Sequence, residues 1–125
     1  MTKTMLPSGF TKQQIDDANH IPLLVLEDTH FVYCNNAAAK LLGYSLVNEL
    51  LTAHPFMLSP EYQADGKLSA TKANYMIDIA RISGHHSFDW QHKSKNNDIV
   101  NIHVTLNRSN WHNGKKCILV HWALI

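Results

Sequence analysis

Apolar residues are sparse before residue 20, run together from Ile21 to Cys34, recur at helical spacing over Ser69–Ser83, and then alternate with polar ones toward the C-terminus. That order predicts a leading helix, a strand pair, a group of helices and a run of antiparallel strands. Thr11-x-x-Gln14 has the form of a capping box, in which the Thr oxygen accepts from a first-turn amide, so a helix is expected from there to about Asn19. With only Phe10, Ile15 and Ala18 as apolar positions, so short a helix does not persist in water and must pack on something. Residues Met1 to Gly9 before it read as a mobile lead-in. Ile21–Leu26 and Phe31–Cys34, parted by the polar tetrad Glu27-Asp-Thr-His30, predict a hairpin. Asn35 or Asn36 is placed to cap a helix over Ala37–Leu42, and Gly43 to end it.

Ser45–Leu51 reads as another short helix. The stretch from His54-Pro55 to Ser59-Pro60 is broken, because each proline biases its predecessor away from helix. Ala73, Met76, Ile77 and Ala80 lie at helical spacing within Ser69–Ser83, the longest helix, which Gly84 terminates. Strands are expected over His86–Lys93, Ile99–Arg108 and Lys116–Leu124, joined by turn-rich Lys95-Asn-Asn-Asp98 and Asn110-Trp-His-Asn-Gly114. In the second of them Val100, Ile102, Val104 and Leu106 alternate with polar neighbours, so one face meets a core. The last is apolar on both faces. Its outer face needs a cover, either the leading helix or a second copy of the chain.

Composition narrows the function classes. At 125 residues the chain fits one domain able to bury its own core, and a net charge of +1 gives no electrostatic footprint for nucleic acid. Two widely spaced cysteines, Cys34 and Cys117, make neither a disulfide framework nor a zinc signature, which points to a reducing cytoplasm. No run approaches the ~20 apolar residues of a membrane span, so no membrane contact by this segment is expected.

Four segments, taken in order, resemble the PAS domain family: the strand pair around Leu23–Asn35, Asn36-x-Ala-Ala-x-x-Leu-Gly-Tyr44, Ser59-Pro-Glu-Tyr-Gln-Ala-Asp-Gly66, and the Phe88-x-Trp-x-His92 hairpin. The resemblance runs from about Ile21 to Trp122. It implies an α+β fold: an antiparallel five-stranded sheet with short helices on one face and an N-terminal flanking helix. Residues 1–20 are then lead-in and flanking helix, and 21–125 the sensor domain. It further implies a non-catalytic sensory domain that binds a small ligand or a partner and passes a conformational change to a covalently attached effector, such as a histidine kinase, a cyclic-dinucleotide enzyme or a chemoreceptor. The alternative is a constitutive homodimerisation module without ligand. One departure concerns output: many members end the last strand with Asp-Ile-Thr, whereas Trp122-Ala-Leu-Ile125 stands here, with Leu124 in the place of that Asp.

The family's cavity lies between the long helix, the broken helices and the sheet. Its expected lining is Met57, Leu58, Tyr75, Met76, Ile79, Phe88, Trp90, Ile102 and Val104, with Tyr75, Trp90 or His103 offering a polar handle. Homodimerisation is expected through Phe10, Ile15, Val120 and Trp122. The cofactor is left unknown. A haem is not expected, because the long helix holds no His, nor a covalent flavin adduct, because Ser45–Ser59 holds no Cys. The nine histidines show no i, i+4 pair on a helix, so no metal centre is expected. Cys34 reads as a small hydrophobe rather than a redox contact, and His121 as a structural histidine rather than a pH switch. Glu61, Asp65, Asp78 and Asp89 form no visible pair, which leaves an acid–base enzyme without its machinery.

Overall fold

The computed structural model describes residues 9–53 and 55–125, without the side chains of Pro55 and Phe56. All of the expected Met1–Gly9 lead-in except Gly9, and His54 at the head of the proline-broken stretch, lie outside the described residues. Ten elements follow in order: α1 (Lys12–Asp17), β1 (Leu23–Glu27), β2 (His30–Cys34), α2 (Asn36–Leu41), α3 (Val47–Thr52), α4 (Pro55–Leu58), α5 (Ser69–Ser83), β3 (His85–Lys93), β4 (Ile99–Asn110) and β5 (Lys116–Leu124). The strands form one five-stranded sheet in the order β2-β1-β5-β4-β3. Each neighbouring pair is antiparallel. Helices α2 to α5 carry the chain from one edge of this sheet to the other.

The capping box at Thr11 forms as expected, with Thr11 Oγ1 accepting from Gln14 N at 3.2 Å and Thr11 N donating to Gln14 Oε1 at 2.9 Å. Helix α3 starts later than Ser45 because Glu49 Oε1 accepts from both Ser45 N and Leu46 N, which holds those two residues outside the first turn. Gly84 ends α5 at φ 94°, a conformation that favours glycine, and its amide closes on the Ala80 carbonyl at 2.8 Å. Strand β4 runs past Arg108 because Ser109 and Asn110 still pair with Cys117 and Lys116.

The two faces of the sheet bury different things. Leu24, Leu26, Trp90, Ile102, Val104, Leu106, Ile118, Val120 and Trp122 turn toward α2–α5 and form the main core. On the other face Val25 and Cys117 gather with Ile15 of α1, flanked by Phe10, Leu119 and Trp111. The leading helix is thus what covers the outer face of β5 at Cys117 and Leu119. It is tied down by Tyr33 Oη, which donates to the Asp16 carboxylate at 2.8 Å, and by backbone bonds of Phe10 to Asn110 and His112.

Asn35 joins both faces. Wholly buried at the end of β2, it caps α2 by accepting from Ala38 N at 3.1 Å and accepts from Leu23 N at 3.1 Å with the same oxygen. Its Nδ2 donates to the carbonyls of Ile15, Ala18 and Ile21 at 3.2, 2.9 and 2.7 Å. One side chain thereby ends α1, starts α2 and fixes the entry to β1.

Candidate functional site

A cavity of about 290 Å³ lies between α3, α4, α5 and the sheet. Ala73 and Ile77 of α5 face it because residues four apart share one helical face. Leu50 and Leu51 of α3 close a second side, and Leu58 and Ser59 a third. The floor is aromatic, built from Phe88 and Trp90 of β3 and Trp122 of β5, with Phe31 beside them. Exposed Thr29 in the β1–β2 turn and His30 at the start of β2 mark the rim. That turn is latched to the long helix by Arg81, whose guanidinium donates to the Asp28 carbonyl.

The loop that carries Ser59 is set by Gln63, which is 5% exposed. Its amide mimics a neighbouring strand: Gln63 Oε1 accepts from Gln91 N at 2.8 Å while Nε2 donates to Gln91 O at 3.0 Å. Edge strand β3 is thereby satisfied at that point, and Ser59 is brought over Trp90, whose Nε1 donates to Ser59 Oγ at 3.1 Å.

Of the expected lining, Leu58, Phe88, Trp90 and Val104 do face the cavity. Ile102 is fully buried in the packed part of the core and does not reach it. Met57 and Tyr75 are exposed, at 56% and 64%. Met76 and Ile79 are half-buried on the flanks of α5, where Met76 Sδ lies 3.0 Å from His86 Nε2. The correction has one cause. Helix α5 turns Ala73, Ile77 and Ala80 inward, so Tyr75, two residues from Ala73 and from Ile77, lies on the far side. His103 is also turned away from the cavity, its Nδ1 lying 2.8 Å from Asp89 Oδ1 on an exposed part of the sheet.

The residues expected at a dimer interface need correction too. Ile15, Val120 and Trp122 are 2%, 1% and 1% exposed within the single chain, and Phe10 packs on Trp111 with ring centroids 4.9 Å apart. Val120 and Trp122 point into the cavity rather than to the outer face, because in β5 it is the odd-numbered positions Cys117 and Leu119 that turn outward.

His92 closes the Phe88-x-Trp-x-His92 hairpin motif but is absent from the expected lining, although the period-two series Phe88, Trp90, His92 places all three on one face. It lines the cavity at 6% exposure, its ring 4.5 Å from that of Trp122. Nδ1 lies 2.8 Å from the Leu58 carbonyl, which can only accept, so Nδ1 carries the proton. Burial pushes the pKa of His92 down to about 4 against the opposing effect of that bond, so the ring is neutral near pH 7 and Nε2 is an acceptor. Nε2 has no hydrogen-bond partner among the described residues. Among the described residues no Asp, Glu, Lys or Arg lines the cavity.

Cys34 belongs to the main core and does not reach the cavity. Burial pushes its thiol up to about 12, which keeps it protonated and unreactive. Among the described residues no group of three or more His, Cys, Asp or Glu is placed to hold a metal ion.

Comparison with known proteins agrees with this architecture. The sequence profile of the PAS domain matches residues 13–73, from α1 into α5. The chain carries a PAS domain. The remaining strands of this PAS domain are covered by the likeness to solved structures. A PAS domain from a two-component sensor histidine kinase is 16% identical with a TM-score of 0.66, over 91% of this chain and 92% of that one. The PAS domain, in complex with ethanol, of a LuxR-family transcriptional regulator from Burkholderia thailandensis is 16% identical with a TM-score of 0.68, over 91% and 96%. The PAS domain of an HTR-like protein from Haloarcula marismortui is 18% identical with a TM-score of 0.65, over 91% and 88%. A search of the curated proteins gives no match. PAS domains are typically sensory signalling modules of kinases and regulators, generally non-catalytic, and they often dimerise and attach effectors. No helix among the described residues is long and apolar enough to cross a membrane.

Proposed function

We propose that this PAS domain is the input element of a cytoplasmic signalling protein and that it binds a small, mostly apolar molecule in the helix-side cavity. The observation that carries this reading is a buried histidine, one of whose two nitrogens meets no partner among the described residues, lining a cavity that has aromatic walls. A well-filled core does not keep an acceptor in that condition, since an unmet buried polar group costs about 1–3 kcal/mol. A volume of about 290 Å³ stands at the lower end of the range for ligand pockets.

Residues 21–125 are the sensing unit in this reading, with 1–20 as its flanking segment. Signal leaves through elements that touch the cavity and also lead away from it. Trp122 is one such contact, and β5 continues from it to exposed Leu124 and Ile125. A ligand changes the output only if it binds one arrangement of these segments better than the other. The attached effector is of the histidine kinase, cyclic-dinucleotide enzyme or chemoreceptor kind.

The second reading is a homodimerisation module without ligand. It is favoured by apolar side chains left exposed at the end of β5 and the start of β4, namely Leu124, Ile125 and Ile99 at 64%, 71% and 47%. Native mass spectrometry of freshly purified protein, beside its denatured mass and absorption spectrum, separates the two. Extra mass that is lost on denaturation supports the first reading and gives the ligand's size. A dimer of bare chain mass, unstabilised by any compound of a broad thermal-shift screen, moves the assignment to the second.

A further inference from the structure

The chemistry of the cavity says more than that something small enters it. Its walls offer Phe31, Phe88, Trp90 and Trp122, rings that prefer edge-to-face or offset contact with another ring. An ionised ligand would lose its water without meeting an opposite charge there, because the lining has no Asp, Glu, Lys or Arg among the described residues. What the described residues do not offer is a hydrogen-bond donor for His92 Nε2. The tautomer is not free to change, since the Leu58 carbonyl holds the only ring proton at Nδ1. Ser59 cannot readily turn to serve instead, because its Oγ accepts from Trp90 Nε1 at 3.1 Å and lies 3.4 Å from Nδ1, on the protonated side of the His92 ring.

We infer that the ligand class is an uncharged, flat aromatic molecule with one N–H or O–H group, donated to Nε2 of His92. The inference rests on the cavity reading above and adds which functional group is read and by which atom. His92 acts here as a specificity-determining residue. A ligand of the same shape without the donor leaves Nε2 buried and unpaired, whereas the matched ligand removes that cost.

The test uses a ligand pair, so that it does not depend on a variant that fails to fold. 3-Methylindole and 1-methylindole have the same volume, but only the first has an N–H. Titration calorimetry on the native protein is expected to show 3-methylindole binding about tenfold or more tightly, the size of effect that one unmet buried acceptor produces. Side-chain ¹⁵N NMR is expected to show the His92 Nε2 resonance moving upfield with 3-methylindole and much less with 1-methylindole. Equal affinities overturn the inference while leaving the cavity reading intact. A preference for 3-methylindole with an unmoved His92 resonance overturns the assignment to this residue. Binding of neither compound overturns both.

Discussion

Asn35 and His92 are buried to almost the same degree, at 0% and 6%, yet they are partnered in opposite ways. Asn35 stands where the strand pair meets both helical layers, and its oxygen takes two backbone amides while its nitrogen meets three carbonyls. His92 stands over the cavity and, among the described residues, satisfies one nitrogen only. A buried polar group that is fully partnered specifies a structure. One left half-partnered beside an open volume specifies something to be bound. On the reading proposed above, the contrast divides the PAS domain into a scaffold around Asn35 and a receiving surface around His92.

The largest effect expected on this division is at the scaffold. Asn35→Ala removes the cap of α2 and takes a partner from backbone groups of α1, the entry to β1 and α2, a loss on the order of 4 kcal/mol. Much of a domain's 5–15 kcal/mol would be gone, and the urea midpoint should fall accordingly. A midpoint within error of the native one would abolish the distinction drawn here.

The next effect belongs to His92 and appears in acid. Its folded pKa of about 4 lies below the ordinary value of 6.5, so between those two values the unfolded chain binds the extra proton. Its contribution is therefore fully present above pH 6.5 and is lost as pH falls toward 4, by on the order of 3 kcal/mol. Urea unfolding at stepped pH should show this slope in the native protein and not in His92→Phe. The same slope in both proteins would assign it to other groups. At pH 7 that substitution should cost only about 1 kcal/mol, because the one bond it removes is to the Leu58 carbonyl.

The smallest effect is at the edge of the scaffold. Thr11→Ala should destabilise α1 by about 1 kcal/mol and speed hydrogen exchange at Gln14 while leaving the β4–β5 amides protected. Exchange that rises equally across the sheet would mean that α1 is not a separable cover.

The elements of this fold were legible because their signals are local. Thr11 and Gln14, Gly84 after the longest helix, and the alternation of β4 each mark structure within a few residues. The cavity was legible only where the signal was again local, as in the aromatic face of β3, where Phe88 and Trp90 were named two residues short of His92. On α5 the apolar set Ala73, Met76, Ile77 and Ala80 gave the right stripe but for Met76, and the choice of Tyr75, Met76 and Ile79 favoured large side chains over the phase of the helix. A cavity arises where small residues such as Ala73 face the sheet. The outer face of β5 was undecidable for a different reason: whether α1 or a second copy covers Cys117 and Leu119 depends on tertiary placement, which no periodicity encodes. The multiple roles of Asn35 were hidden likewise, since the segments it bonds lie up to 20 residues away.

The central claim, that the helix-side cavity receives a ligand while the apolar cluster of Ile15, Val25 and Leu119 on the opposite face does not, is tested most directly by a methyl NMR titration with 3-methylindole. Shift changes are predicted at Leu58, Ile77, Val104, Leu106 and Val120, with Ile15, Val25 and Leu119 unmoved. Changes centred on Ile15, Val25 and Leu119, or no change at any methyl, would contradict it.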